Sequence, residues 1–311
     1  MALKIIFMGT PDFAVSCLKR LIEDGHEIVL VVTQADKPKG RKLNLTPPPV
    51  KEYALTEGLD VFQPEALRNS REVCEKLAGY NADVAVVVAY GRILPPEILS
   101  IPKYGCINVH ASLLPKYRGA APIQWSVIDG ESETGVTTMY MDAGLDTGDM
   151  LLKRKVKIPM NMTSGELHDL LAAEGAKAIS DTLKALEEGS LTAEKQDDSI
   201  SSYAPTLSRE ISPIDWNKPA WQIHNFIRGL NPWPAAKTTI GGRSLKIYCS
   251  KPVSSCNHLP GTVIENSPFT IACGENTSIE ILEVQLEGTK RMSAADFLRG
   301  HPIKIGRILP D

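Results

Sequence analysis

The chain has 311 residues, 43% hydrophobic, 23% charged and 6% aromatic, with a net charge of −3. That is ordinary soluble composition at a length that suggests about two domains, and no apolar run reaches the roughly 18 residues a membrane span needs. The opening MALKIIFMGTPDF has one lysine, a short apolar run and no small-residue cleavage site, so it reads as a first strand of a cytoplasmic chain rather than a signal peptide.

LKIIFMG and EIVLVVT are continuous apolar runs separated by PDFAVSCLKRLIEDG, in which Phe13, Leu18, Leu21 and Ile22 recur at helical spacing between Pro11 and Gly25. Apolar runs without alternation suit strands buried on both faces of a parallel sheet. The basic stretch DKPKGRKLNLTPPPVK follows, long for a loop between a strand and a helix. Then come the short strand DVFQP, a helix around Arg71–Ala78, DVAVVVAY and CINVH. This βαβ pattern predicts a doubly wound, mostly parallel α/β sheet.

TGVTTMYMDAGLDTGDMLLKRKVKI reads as two strands around an Asp- and Gly-rich loop. A long helix is expected from Thr163, with Thr163 and Glu166 as a capping box, Gly189 as its stop, and a buried stripe of Leu167, Leu170, Leu171, Ile179, Leu183 and Leu186. Residues 190–208 are polar and aperiodic and read as a linker. Beyond them lie one helical stretch, PAWQIHNFIRGL, then the short strands RSLKIYCS, PGTVIE, FTIACG and SIEILEVQ, and a last short helix in SAADFLRGH. Strands at such spacing suggest a small β-barrel. The expected division is a domain over 1–189, a linker over 190–208 and a second domain over 209–311.

Charge is uneven. Residues 209–311 carry a net +3 and the remainder −6, yet that acidic part contains the local run Lys37, Lys39, Arg41, Lys42 and Lys51 against Asp36. Such a run with Gly40 as a hinge suits a phosphate backbone, although a solvated face is the commoner meaning of a charge run. The six cysteines show no C-x-x-C pair and read as reduced, buried small hydrophobes. No His or Cys spacing suits zinc, so no metal is expected. The first βα junction, MGTPDF, has Gly9 alone where a dinucleotide fingerprint needs three glycines, so NAD is not expected.

Asn108 and His110 sit two apart at the carboxyl end of a strand, the edge at which open α/β sheets bind ligands. A hydrogen-bonded core pair is one reading and a site is the other. In DAGLDTGD, Asp142, Asp146 and Asp149 admit three readings: a magnesium site, turn chemistry, or one aspartate paired with His110 to favour its charged form and fix its orientation. Spacing alone does not choose among them.

NVHASLLPKYRGAAPIQW together with MDAGLDTGDML resembles the formyltransferase family that uses 10-formyltetrahydrofolate. The resemblance implies a catalytic set of Asn108, His110 and Asp146. It implies a folate-binding segment at Ser112, Leu113, Leu114 and Pro115. The strand-loop VVVAYGRILP would line the pterin pocket through Val88, Tyr90, Gly91 and Ile93, with Asp142 nearby. Three further stretches, IIFMGTPDFAV, the basic loop and FIRGLNPWPAA, resemble the members of that family that formylate methionyl initiator tRNA. On that resemblance Lys37, Lys39, Gly40, Arg41 and Lys42 would meet the tRNA acceptor end, and the second domain would be an OB-like barrel against the tRNA body.

Formyl transfer is attack of a free amine on an activated formyl carbon. A prepositioned donor to the developing oxyanion is worth ~3 kcal/mol, and the Asn108 amide and protonated His110 fit that role. Asp146 would hold His110 charged and relay the amine's proton. The formyl donor is already activated, so neither a Ser or Cys nucleophile nor a metal is required. A monomer with no membrane partner is expected. The rival readings are a small amine as acceptor, hydrolysis of the folate by water, and a non-catalytic tRNA-binding scaffold.

Overall fold

A computed structural model describes residues 2–39, 44–253 and 256–311. The chain divides into two compact units, each assembled from separate stretches. The first comprises Met1–Gly119, Glu133–Lys157 and His168–Tyr203; the second comprises Ala120–Ser132, Ile158–Leu167 and Ala204–Asp311.

The first unit is built on seven strands: β1 (Lys4–Gly9), β2 (Glu27–Val32), β3 (Val61–Phe62), β4 (Val84–Val88), β5 (Cys106–His110), β6 (Glu133–Tyr140) and β7 (Met150–Lys157). Their spatial order is β7-β6-β5-β4-β1-β2-β3. β1 to β5 pair in parallel, while β6 runs antiparallel to β5 and β7 antiparallel to β6. Every residue of the β4 run VAVVV is buried, as expected of a sheet covered on both faces. The order reverses between β1 and β4, which places the ligand-binding edge at their carboxyl ends.

The helix Asp12–Glu23 begins after Pro11 and is followed by Gly25 in the left-handed region, φ 81°. Ser164–Glu187 forms the long helix. Its capping box is closed by Thr163 N–H donating to Glu166 Oε2 at 2.8 Å and Glu166 N–H donating to Thr163 Oγ1 at 3.2 Å. Gly175 lets this helix lie close on β5, since a Cβ there would stand 3.2 Å from Val109 Cγ1. The expected stripe needs two corrections, because Leu186 is only half-buried and Leu170 is exposed. At about 100° per residue Leu170 falls on the far side of the helix from Leu171, Gly175 and Ile179.

The basic stretch, expected as a loop, is instead a two-stranded antiparallel ribbon of Lys37–Lys39 with Asn44–Thr46. Pro47 and Pro48 keep the chain extended until a helix starts at Pro49. Gly40, Arg41 and Lys42 lie outside the described residues. The polar stretch after the long helix has one 3₁₀ turn, Asp198–Ile200, and bridges to β7 through Met150 and Glu194.

The second unit contains β8 (Ala236–Ile240), β9 (Arg243–Val253), β10 (Val263–Asn266), β11 (Phe269–Ala272), β12 (Ser278–Leu286) and β13 (Met292–Ser293). These six strands pair antiparallel in the order β8-β9-β12-β11-β10, with β13 on β12. The C-terminal tail bridges the two open edges. Val263 N–H donates to Arg307 O and Leu309 N–H to Gly261 O beside β10, while Asp311 N–H reaches Thr239 O on β8. Ile247, Ile271, Ile279 and Val284 fill the interior together with Ile223 and Ile227 of the helix Ala220–Gly229.

All six cysteines are free, but they are not uniformly buried. Burial pushes the thiols of Cys17, Cys106 and Cys273 up to about 12, whereas Cys249 is exposed on the outer side of β9.

Candidate active site

β5 carries the first two members. Asn108 lies opposite Val87 of β4 and Met139 of β6, and His110 lies opposite Thr137 of β6. Their spacing of two puts both side chains on one face of the sheet. Asn108 is half-buried and His110 is buried.

The His110 ring is held at both nitrogens. Nε2 lies 2.9 Å from the carbonyl oxygen of Tyr117. A carbonyl only accepts, so Nε2 carries a hydrogen and the exchangeable proton belongs to Nδ1. Nδ1 stands 3.6 Å from Asp146 Oδ2, the two side chains being 6% and 12% exposed. A proton on Nδ1 therefore creates an ion pair with little competing water. Of the three readings of the aspartates, the geometry realises pairing at Asp146 and turn chemistry at Asp142, whose Oδ1 accepts from Gly144 N–H at 2.9 Å and Thr147 Oγ1 at 2.7 Å. Among the described residues no group of three or more His, Cys, Asp or Glu side chains could hold a metal ion.

The loop between β6 and β7 is tightly constrained. Gly148 passes so close to Tyr140 that a Cβ would sit 1.8 Å from its carbonyl oxygen, so only glycine fits. Asp146 takes up the left-handed region, φ 54°, which carboxamide and carboxylate side chains tolerate better than most. Its Oδ2 accepts the Gly119 N–H at 2.8 Å, and its carbonyl oxygen accepts from Gln196 Nε2 at 2.8 Å.

Thr137 fastens the segment after β5. Its hydroxyl donates to Ser112 O at 2.7 Å and accepts the Leu114 N–H at 3.1 Å. Ser112 is fully buried and donates to Lys116 O at 2.6 Å; Leu113 is half-buried, Leu114 is buried and Pro115 is buried. In the loop after β4, Val88 and the Tyr90 ring lie inside the core. Tyr90 O accepts from Thr10 Oγ1 at 3.0 Å and Gln34 Nε2 at 2.8 Å. What this loop turns outward is Gly91, φ 77°, and Ile93, which is 76% exposed.

The basic ribbon rests on a polar base. Lys51 Nζ bonds both Asp36 carboxylate oxygens at 2.9 Å, and Gln63 Nε2 donates to Asp36 Oδ1 at 2.8 Å. The Gln63 and Lys51 hydrogen bonds hold the Asp36 carboxyl below the usual carboxylate range. Lys51, one of the cations of the basic run, is thus engaged at the base. Lys37 Nζ reaches Gln34 Oε1 at 2.8 Å, and Lys39 ends the first ribbon strand.

Sequence reasoning brought Asn108, His110 and Asp146 forward, and missed Tyr117, Gly119, Thr137 and Gln196. Tyr117 and Gly119 act through their main chains, which no side-chain pattern advertises. Thr137 reads as an ordinary strand residue, and Gln196 stands in the stretch taken for a linker.

A mostly parallel sheet with this polar pair at a carboxyl edge, followed by an antiparallel second unit, makes a two-part α/β protein with a candidate active site in its first unit. The chain belongs to the formyl transferase family: the family's model matches residues 3–183, and that of the formyl transferase C-terminal domain matches residues 206–302. It is similar along nearly its whole length to proteins named methionyl-tRNA formyltransferase. One from Caldanaerobacter subterraneus subsp. tengcongensis is 52% identical over 309 residues, covering 99% of this chain and 100% of the relative. That from Bacillus subtilis is 49% identical, covering 98% and 97%. Among solved structures, an N-formyltransferase from Helicobacter canadensis in complex with folinic acid and dTDP-3-aminofucose shares the fold. Its TM-score is 0.67 at 20% identity, covering 90% of this chain and 98% of that one.

Proposed function

We propose that the chain transfers the formyl group of 10-formyltetrahydrofolate to the free amino group of methionyl initiator tRNA. The observation that carries the reading is the buried His110–Asp146 pair, 3.6 Å apart at the end of the strand that also bears Asn108. It is supported by the full-length likeness to methionyl-tRNA formyltransferases.

In this reading the amine nitrogen attacks the formyl carbon, the carbonyl oxygen gains negative charge, and collapse returns the electron pair to the folate nitrogen. Both ring nitrogens of His110 face protein groups, so the main donor to the oxyanion is the Asn108 amide. Asp146 balances the imidazolium and takes the proton that the amine must lose, directly or through water, before it reaches the leaving nitrogen. The folate would lie against Ser112, Leu113, Leu114 and Pro115 and the loop of Val88, Tyr90, Gly91 and Ile93, with Asp142 shaping the neighbouring turn. The basic stretch, through Lys37, Lys39, Gly40, Arg41 and Lys42, would take the acceptor end of the tRNA. No helix of the described residues is long and apolar enough to cross a membrane, and the reaction suits the cytoplasm, where both substrates meet.

The test is formyl transfer from 10-formyltetrahydrofolate to methionyl initiator tRNA, methionyl elongator tRNA and glycinamide ribonucleotide, compared by kcat/KM. A strong preference for the initiator is expected. Activity on the small amine alone would overturn the acceptor while leaving the site intact. Arg41→Ala is expected to raise the KM for tRNA and lower its salt dependence by about one phosphate contact, with the folate KM unchanged.

A further inference from the structure

We infer that Gln196 is a positioning residue for the Asp146 carboxylate, and that it acts through Arg118 as the closing link of a ring of hydrogen bonds. The inference deepens the formyl-transfer reading and rests on it for its kinetic arm.

The need for such a residue comes from Asp146 itself. Its φ of 54° lies in a region that L-residues adopt uncommonly, and such a conformation persists only where the surroundings over-determine it. Gln196 supplies the main-chain restraint. Its single Nε2 donates to Asp146 O at 2.8 Å and to Gly148 O at 2.7 Å, spanning the sharpest part of the loop. Its other end, Oε1, accepts from Arg118 Nε at 2.9 Å. Arg118 immediately precedes Gly119, whose N–H holds Asp146 Oδ2 at 2.8 Å.

The ring therefore runs from the Asp146 main chain to Gln196, to Arg118, along one peptide to Gly119, and back to the Asp146 side chain. Backbone and carboxylate of one residue are gripped by the two ends of the same device. Further bonds seat Gln196 itself. Arg118 Nη2 bonds Asp198 Oδ1 at 2.7 Å, and Glu194 exchanges both main-chain bonds with Met150 at 2.8 Å, just past the loop. The stretch 194–198 is thus a strap across the aspartate loop, and the consequence is chemical. His110 Nδ1 sees Asp146 at 3.6 Å, a separation that a small rotation of the loop would abolish. Misplacement by about 1 Å can cost on the order of 10²-fold in rate.

The experiment uses Gln196→Ala and Gln196→Met in the full-length chain; methionine keeps the length and removes both polar ends, so it serves if alanine fails to fold. Expected are a fall in kcat of about 10- to 100-fold, KM for both substrates within about twofold, and faster hydrogen exchange at the Gly119 amide. In an Asp146→Asn background, Gln196→Ala should lower kcat by less than about twofold further, because its effect runs through the missing carboxylate. An unchanged kcat, a change confined to KM, or a full additional loss in the Asp146→Asn background would overturn the inference. If wild type transfers no formyl group, the functional reading fails separately, and exchange at Gly119 decides this one: protection unchanged in the variants refutes it, protection lost upholds it.

Discussion

The two units each bury a histidine whose Nε2 donates to a backbone carbonyl, yet the two imidazoles are set up for opposite fates. In the first unit His110 gives Nε2–H to Tyr117 O at 2.9 Å and turns Nδ1 toward the Asp146 carboxylate. In the second, His224 gives Nε2–H to Met160 O at 3.1 Å and turns Nδ1 toward the Ser250 hydroxyl at 3.1 Å. A hydroxyl satisfies a bare nitrogen by donating to it, so His224 is complete as the neutral ring. Desolvation is the main reason its pKa lies below the ordinary 6.5, and the nearby Arg228 cation adds to it. A carboxylate cannot donate, so His110 completes its bonding only with the second proton on. One neighbour at one nitrogen, a carboxylate in the first unit and a hydroxyl in the second, is what distinguishes the two rings.

The sharpest way to break this comparison is to give His110 a neighbour that no longer carries charge. Asp146→Asn keeps the shape and the Gly119 contact but removes the charge opposite Nδ1. The expected loss in kcat is 10²- to 10⁴-fold with folate affinity kept, read by single-turnover kinetics and by binding of a non-reactive folate. Wild-type turnover in this variant would strip the pair of its role. Asn108→Ala comes next, at about 10²- to 10³-fold, the cost of one prepositioned oxyanion donor. A larger effect on KM than on kcat would move Asn108 from the reacting carbonyl to substrate binding.

Asn108, His110 and Asp146, the trio proposed to be catalytic, came forward through a family resemblance carried by N-x-H at a strand end and LDTGD in a loop; spacing alone gave only the shared face of Asn108 and His110. The alternation-free runs likewise announced a covered parallel sheet, and VAVVV is buried throughout. What could not be read is what depends on the main chain or on distant segments. Tyr117 O and Gly119 N–H act without side chains, and Gln196 meets Asp146 across 50 residues from a stretch with no periodicity. The β-barrel reading missed the means of closure, since the tail segment that bridges β10 and β8 has no strand pattern. Ribbon strands of three residues are likewise too short for alternation to distinguish them from a loop.

The second unit's half of the comparison predicts effects on stability rather than on chemistry. Arg228 follows His224 on the same helix, one turn on, and is buried with no carboxylate partner among the described residues. It instead donates to Asn225 Oδ1 at 2.8 Å and to the carbonyls of Met162 at 3.0 Å and Pro159 at 3.4 Å. Desolvation lowers its pKa below the ordinary guanidinium range. Arg228→Ala leaves these acceptors unpaired, and a loss of about 3 kcal/mol is expected in urea unfolding, with kcat per folded molecule unchanged. A loss of kcat at full stability would mean that the second unit's buried cation takes part in catalysis after all.

The smallest expected effect is also the most direct test of the contrast, because it titrates His224 alone. A folded-state pKa below the unfolded 6.5 means that the unfolded chain binds the proton first. Stability from this group is therefore fully present above about pH 6.5 and declines as pH falls from there through the folded value. His224→Asn removes the titrating ring while keeping groups that can meet Met160 O and Ser250. The variant starts less stable at pH 7.5, and its melting temperature should fall less than that of wild type between pH 7.5 and pH 5. The two proteins differ at this position alone, so the difference between the two curves belongs to residue 224. Parallel curves would show that burial beside Ser250 does not disfavour the charged form of His224, and the distinction between the two buried rings would then have to be sought in their access to substrate.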